Sequence, residues 1–186
     1  DFVLKFSPQE KVAIAQEVDK LLEMNAIEQV SEEQRGIVAH IFSQAKKDGS
    51  LRTILNLKQL NKFVEYNHFK METLENALAL VTEGCWMASI DLRNAYLTVA
   101  MHQDDKKYLQ FRFDGKLYQY AVLPFGYSDA PRKFTKLLKP PLAKLLVEGH
   151  NIMAYLDDTF IVAKSKIKCR QSVQKTIEIF EKLRFV

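Results

Sequence analysis

Apolar and polar positions in this chain follow two periods, one helical and one alternating. The first helix is marked by Ile14, Val18, Leu21 and Leu22 on one face. Ser7, Pro8 and Glu10 supply an N-cap, a first-turn proline and a capping-box acid, and Asn25 marks the stop. Strand-like runs follow at 37–42 and 51–57, with the turn Lys46-Lys47-Asp48-Gly49 between them. The pattern predicts a helix over 73–81, closed by Gly84, and then a buried strand over 86–90 that ends at Asp91. Residues 108–113 and 116–120 alternate across Asp114-Gly115, a strong hairpin signal. A helix starting near Ser128 runs towards Leu146 and ends before Gly149. Residues 152–156 and 159–163 form a second hairpin with Asp157-Asp158 as its turn. The last helix carries Val173, Ile177, Phe180 and Leu183 as its stripe. Hairpins mixed with helices predict an α+β fold, an antiparallel sheet with helices on one face.

Composition adds little to that picture but excludes some classes. Apolar residues make up 47% and charged residues 27% of 186, ordinary for a globular domain and unlike a disordered chain. No run is apolar and long enough to span a membrane. The start, Asp1-Phe2-Val3, has no basic segment leading into an apolar one, so no secretory signal is expected. Cys85 and Cys169 are far apart, as in an intracellular protein with reduced thiols. No two of the four histidines are spaced i, i+4, so no zinc site is read. The formal net charge of +4 permits a polyanionic partner without requiring one.

The informative chemistry is acidic. Tyr155-Leu156-Asp157-Asp158 sits between apolar strands, and the adjacent carboxylates at the hairpin tip repel each other. Alone, this tetrapeptide equally describes a plain β-turn. Asp91 follows Met87-Ala88-Ser89-Ile90 at the end of another strand, where an acid equally caps a turn. Together the two places say more. Neighbouring strands of one sheet would bring Asp91, Asp157 and Asp158 to the same edge. Three carboxylates there would suit Mg²⁺ shared with substrate phosphates. Two such ions clamp an in-line phosphoryl displacement, with the protein supplying position and charge. The pair Asp104-Asp105, beside Lys106-Lys107, reads instead as a solvated turn or a short helix start.

At these residues the chain resembles the reverse transcriptases of retroelements, most closely those of DIRS-like and gypsy-like retrotransposons. The blocks come in the family's order: KKDGSLRTILNLKQLN (46–61), FKMETL (69–74), SIDLRNAY (89–96), LPFGYSDAPRKFT (123–135) and YLDD (155–158). The resemblance implies a polymerase palm, with an antiparallel sheet backed by helices, plus a fingers subdomain. Residues 1–35 would be a helical lead-in and 36–186 the fingers and palm. The chain would stop before the primer grip and thumb, and RNase H would belong to the parent polyprotein.

Carried over residue by residue, Asp91, Asp157 and Asp158 would be catalytic and hold two Mg²⁺ ions, with Mn²⁺ as a substitute. Arg52 and one of Lys46 or Lys47 would grip the triphosphate of a dNTP, since a guanidinium can hold phosphate oxygens in bidentate fashion; the lysines read alternatively as a solvated turn face. Tyr96 would lie under its sugar and exclude a 2′-hydroxyl, and Phe125 and Gly126 would pack on the templating base pair. Retroviral members carry Gln where Phe125 stands, and gypsy-like members carry Phe. Arg35, Lys58, Lys62 and Tyr155 would contact the RNA or DNA template and the DNA primer. Two features depart from the family. Gly126-Tyr127-Ser128-Asp129 replaces small or aliphatic residues, and Ser43-Gln44-Ala45 lacks the usual apolar residue and Pro.

Two rivals stand beside this reading. One is an inactive retroelement relic that at most binds nucleic acid or a protein. The other is an RNA polymerase of the same palm architecture, against which Leu156 and Tyr96 argue.

Overall fold

The computed structural model describes residues 6–45, 49 and 51–185, and the chain divides into two units. The first comprises Asp1–Glu65 and Val99–Ala130, the second Tyr66–Thr98 and Pro131–Val186. Lys46 and Lys47 lie outside the described residues.

The first unit opens with helix α1 (Pro8–Glu23). Its capping box forms as expected: the Ser7 N–H donates to Glu10 Oε2 at 2.8 Å, and the Glu10 N–H donates to Ser7 Oγ. Ile14, Val18 and Leu21 are the buried stripe. Asn25 ends the helix in the left-handed region (φ 53°), and the Ala26 N–H reaches back to Leu21 O at 2.8 Å. Strands β1 (Ile27–Val30), β2 (Val38–Ala45), β3 (Leu51–Asn56), β5 (Gln110–Phe113) and β6 (Lys116–Tyr120) form one sheet, in the order β1-β6-β5-β2-β3. The β5–β6 hairpin turns at Asp114-Gly115, both at positive φ (47° and 75°), as a two-residue type I′ turn requires. The β2–β5 pair is parallel, a long-range pairing that no hairpin signal announces.

A neutral amide network pins the chain before β2. Gln110 is fully buried; its Oε1 accepts from the Gly36 N–H at 2.6 Å, and its Nε2 donates to Gln34 O at 2.9 Å. Gln119 links it to Glu28, which also meets Lys106. Those two partners, Gln119 first, hold the Glu28 carboxyl below its ordinary range.

The second unit contains α2 (Leu74–Leu80) and a sheet of β4 (Trp86–Asp91), β8 (Asp158–Ala163) and β7 (Asn151–Tyr155), in the order β4-β8-β7. It also contains α3 (Ala130–Val147), whose first residue falls in the first unit, and α4 (Lys166–Lys182). Thr73 caps α2, but the helix ends at Val81, and Gly84 sits in a separate turn after it. Here is the expected antiparallel sheet backed by helices. Leu142 and Leu145 of α3, with Val173 and Ile179 of α4, pack on Ala88, Ile90, Ile152 and Ile161. Rings at Tyr96, Phe134, Phe185 and Phe180 form an edge-on chain with centroids 5.3, 5.8 and 6.1 Å apart.

Three sequence expectations need correction in this unit. Strand β4 is not buried: it is a sheet edge, and Trp86 and Met87 are 45% and 54% exposed. An apolar run alone does not separate an edge strand from a central one. The buried stripe of α4 is Cys169, Ser172, Thr176 and Phe180, and Leu183 is exposed. Ser172 and Thr176 can go inside because their hydroxyls donate to the carbonyls four residues back, at 2.9 and 2.8 Å. Finally, the β7–β8 turn is Leu156-Asp157, and Asp158 is already the first residue of β8.

Candidate active site

The three acids meet at one end of the β4-β8-β7 sheet. Asp91, the last residue of β4, is the register partner of Asp158. Cross-strand partners share a face, with Cβ atoms roughly 5 Å apart. The ladder continues one step into the turn, where the Leu92 N–H donates to Asp157 O at 3.0 Å. That bond fixes the backbone of Asp157 against the end of β4. The β7–β8 turn is tight because Leu156 takes φ 55°, a conformation that costs a branched side chain about 1–2 kcal/mol. Tyr155 pairs with Asp158 across this turn and is half exposed.

Asn94 at φ 54° then folds the chain after β4 back on itself, and Ala95–Thr98 forms a short 3₁₀ turn. That turn puts Tyr96 beside the tip. Its ring meets Phe134 edge-on, and its hydroxyl is held in the protonated form by burial first and then by the charge of Asp157.

The carboxylates are accessible to solvent rather than buried: Asp91 and Asp158 are exposed and Asp157 half-buried. None of the ion pairs among the described residues involves them. Nor do any three His, Cys, Asp or Glu side chains among those residues come together as a group able to hold a metal ion by themselves. The donor set nevertheless fits Mg²⁺. That ion prefers hard oxygens, keeps several waters, and takes one or two carboxylates plus substrate phosphates rather than an all-protein cage.

The remaining candidates lie in the first unit. Arg52 is exposed on β3, opposite Gln44. Arg35, Lys58 and Lys62 are exposed on loops and turns around β2 and β3. Phe125 is 52% exposed, and Gly126 (φ 91°) lies so near Leu55 that a Cβ would stand 3.5 Å from Leu55 O. The acidic pair Asp104-Asp105 sits on an exposed 3₁₀ turn, as expected. Sequence reasoning missed Asn61, whose side chain bonds the Gly126–Ser128 loop. The available signal was the Asn that closes the 46–61 block.

Comparison with known proteins gives a family and a fold. The profile of the family described as reverse transcriptase (RNA-dependent DNA polymerase) matches residues 44–186. The Transposon Tf2-3 polyprotein of Schizosaccharomyces pombe is 30% identical over 139 residues, 75% of this chain and 10% of the polyprotein. The Tf2-7 polyprotein of the same organism is 29% identical over the same length. The chain thus spans about a tenth of these relatives. Among solved structures, the foamy viral protease-reverse transcriptase dRH in complex with double-stranded DNA superposes with a TM-score of 0.85. It is 21% identical, and the match covers 98% of this chain and 31% of that one. The native Prototype Foamy Virus protease-reverse transcriptase gives 0.81 at 20% identity, over 98% and 24% of the two chains. These likenesses establish the fold.

Proposed function

The chain belongs to the reverse transcriptase (RNA-dependent DNA polymerase) family, and from that premise we propose that it carries the catalytic edge of an RNA-directed DNA polymerase. The observation that supports this most is the cross-strand pair Asp91–Asp158 with Asp157 in the adjoining turn. In this reading a primer 3′-hydroxyl attacks the α-phosphate of a dNTP, and pyrophosphate leaves. Asp91, Asp157 and Asp158 would hold two Mg²⁺ ions, or Mn²⁺ in their place, and ions bound there would supply Lewis-acid stabilisation of the in-line transfer.

Other residues take roles by resemblance. Tyr96 presents its ring under the sugar and disfavours a 2′-hydroxyl. Arg52 grips phosphate together with one of Lys46 or Lys47. Phe125 and Gly126 pack on the templating base pair. Arg35, Lys58, Lys62 and Tyr155 contact an RNA or DNA template and its DNA primer, so binding weakens as salt rises. The first unit is the fingers, with 1–35 as its lead-in, and the second is the palm. Phe125 favours a gypsy-like or DIRS-like source over a retroviral one. The parent is an intracellular polyprotein with RNase H among its other domains.

Primer extension on an RNA template with Mg²⁺ or Mn²⁺, beside an Asp157→Ala control, tests the reading. Incorporation that disappears in the control is expected. A folded wild-type chain that binds primer–template but incorporates nothing would overturn the proposal for this chain and favour an inactive relic.

A further inference from the structure

Asn61 follows β3 in a short 3₁₀ turn, Leu60–Lys62, and its own N–H donates to Leu57 O at 2.8 Å. Leu57 is buried, so the backbone that carries Asn61 is anchored in the core. Its side chain reaches across to the segment after β6. Asn61 Nδ2 donates to Gly126 O at 2.8 Å, and Asn61 Oδ1 accepts from the Ser128 N–H at 2.9 Å. A carbonyl needs a donor and an N–H needs an acceptor, so the two partners define the amide's orientation. Only a carboxamide satisfies both at once; Asp would turn a lone pair towards Gly126 O, and Ala would satisfy neither. The loop's own conformation makes the clamp useful. Gly126 is at φ 91°, and the segment passes close over Leu55 O. Phe125, one residue before Gly126, is half exposed. Arg52 lies on the same strand as Leu55.

We propose that Asn61 is a positioning residue for the incoming nucleotide, tying the Phe125–Ser128 loop to the end of the strand that carries Arg52. The inference rests on the polymerase reading above and deepens it: nucleotide affinity depends on a group that touches no nucleotide. Losing the clamp lets Phe125 and Gly126 drift, which weakens dNTP binding while the acidic edge in the other unit keeps its own geometry.

The test uses the full chain, saturating primer–template and varied dNTP, with Asn61→Asp and Asn61→Ala. Asn61→Asp is expected to raise KM for dNTP roughly ten-fold, with kcat within about three-fold of wild type. Primer–template affinity and Tm should stay unchanged. In Asn61→Ala the Ser128 amide should exchange hydrogen faster. Unchanged KM in both variants overturns the proposal. So does a parallel fall in kcat, primer–template affinity and Tm, which a merely structural asparagine would give. If the wild-type chain incorporates nothing, the polymerase reading has failed separately. Hydrogen exchange then decides the clamp, and unchanged protection of Ser128 in Asn61→Ala overturns it.

Discussion

Two hairpins in this chain close on two-residue turns, and each turn carries an aspartate. In the first unit, Asp114-Gly115 joins β5 to β6 with both residues at positive φ, where Gly costs nothing and Asp costs little. The Asp114 carboxylate pairs with Lys11 on α1 at 2.8 Å, and that lysine, by hydrogen bond and charge, holds its acid below the ordinary range. In the second unit, Leu156-Asp157 joins β7 to β8 with the awkward residue at positive φ. Its aspartate is followed by a second acid, Asp158, which faces a third, Asp91, across the ladder, and none of the ion pairs among the described residues reaches them. The first turn completes its own electrostatics and is architecture. The second accepts backbone strain and like-charge proximity, and such a cost persists where an external ligand makes use of it.

Neutralising one acid beside each turn should separate the two most widely. Asp91→Asn should lower dNTP incorporation roughly a thousand-fold, because stabilisation of several kcal/mol at the reacting phosphate is lost. Tm should hold or rise, since like charges directly opposite each other destabilise a ladder. Asp114→Asn should leave the incorporation rate unchanged. Equal losses from the two variants would mean that the tips do not differ in kind.

Backbone substitutions come next. Gly115→Ala puts a Cβ on a residue at φ 75°, with nothing within 4 Å of it, so its cost is backbone strain alone, about 1–2 kcal/mol. A lowered midpoint in urea, with unchanged activity per folded molecule, is the expected result. Leu156→Gly should be nearly neutral, within about 1 kcal/mol, because the relief of left-handed strain offsets the lost side chain. A loss as large as that from Gly115→Ala would show that Leu156 is not strained.

The smallest effect is on pH. Asp114 has its folded pKa lowered by Lys11 relative to its ordinary 3.8. Its contribution is therefore present above about pH 3.8 and lost as pH falls through the lowered value. Asp114→Asn should narrow its stability gap from wild type in acid, read from Tm between pH 5 and roughly pH 3. A gap that widens in acid would reverse the assignment.

Much of this was legible in the residues. The α1 capping box, the Asp114-Gly115 turn and the Thr73 cap are local chemistry, set by side chains three residues apart or fewer, so reading them needs no knowledge of the fold. The acids stand out in the sequence because Asp91 ends one apolar strand, Asp158 begins another and Asp157 precedes it in the turn. The misreadings were tertiary. Polar Ser172 and Thr176 face the interior of α4 because back-bonding satisfies them, and a search for apolar stripes passes over them. Strand β4 reads as buried and is a sheet edge.

The sequence by itself determined which groups can do chemistry, since carboxylates, a guanidinium and an aromatic ring keep their donor and acceptor character wherever they sit. It also determined the local turns, because φ preferences belong to single residues. Only the tertiary structure decided that Asp91 faces Asp158, that β2 runs parallel to β5, and that Asn61 closes on Gly126 and Ser128. Those pairings join segments far apart in the chain. Their register follows from the whole core closing at once, which no local window contains.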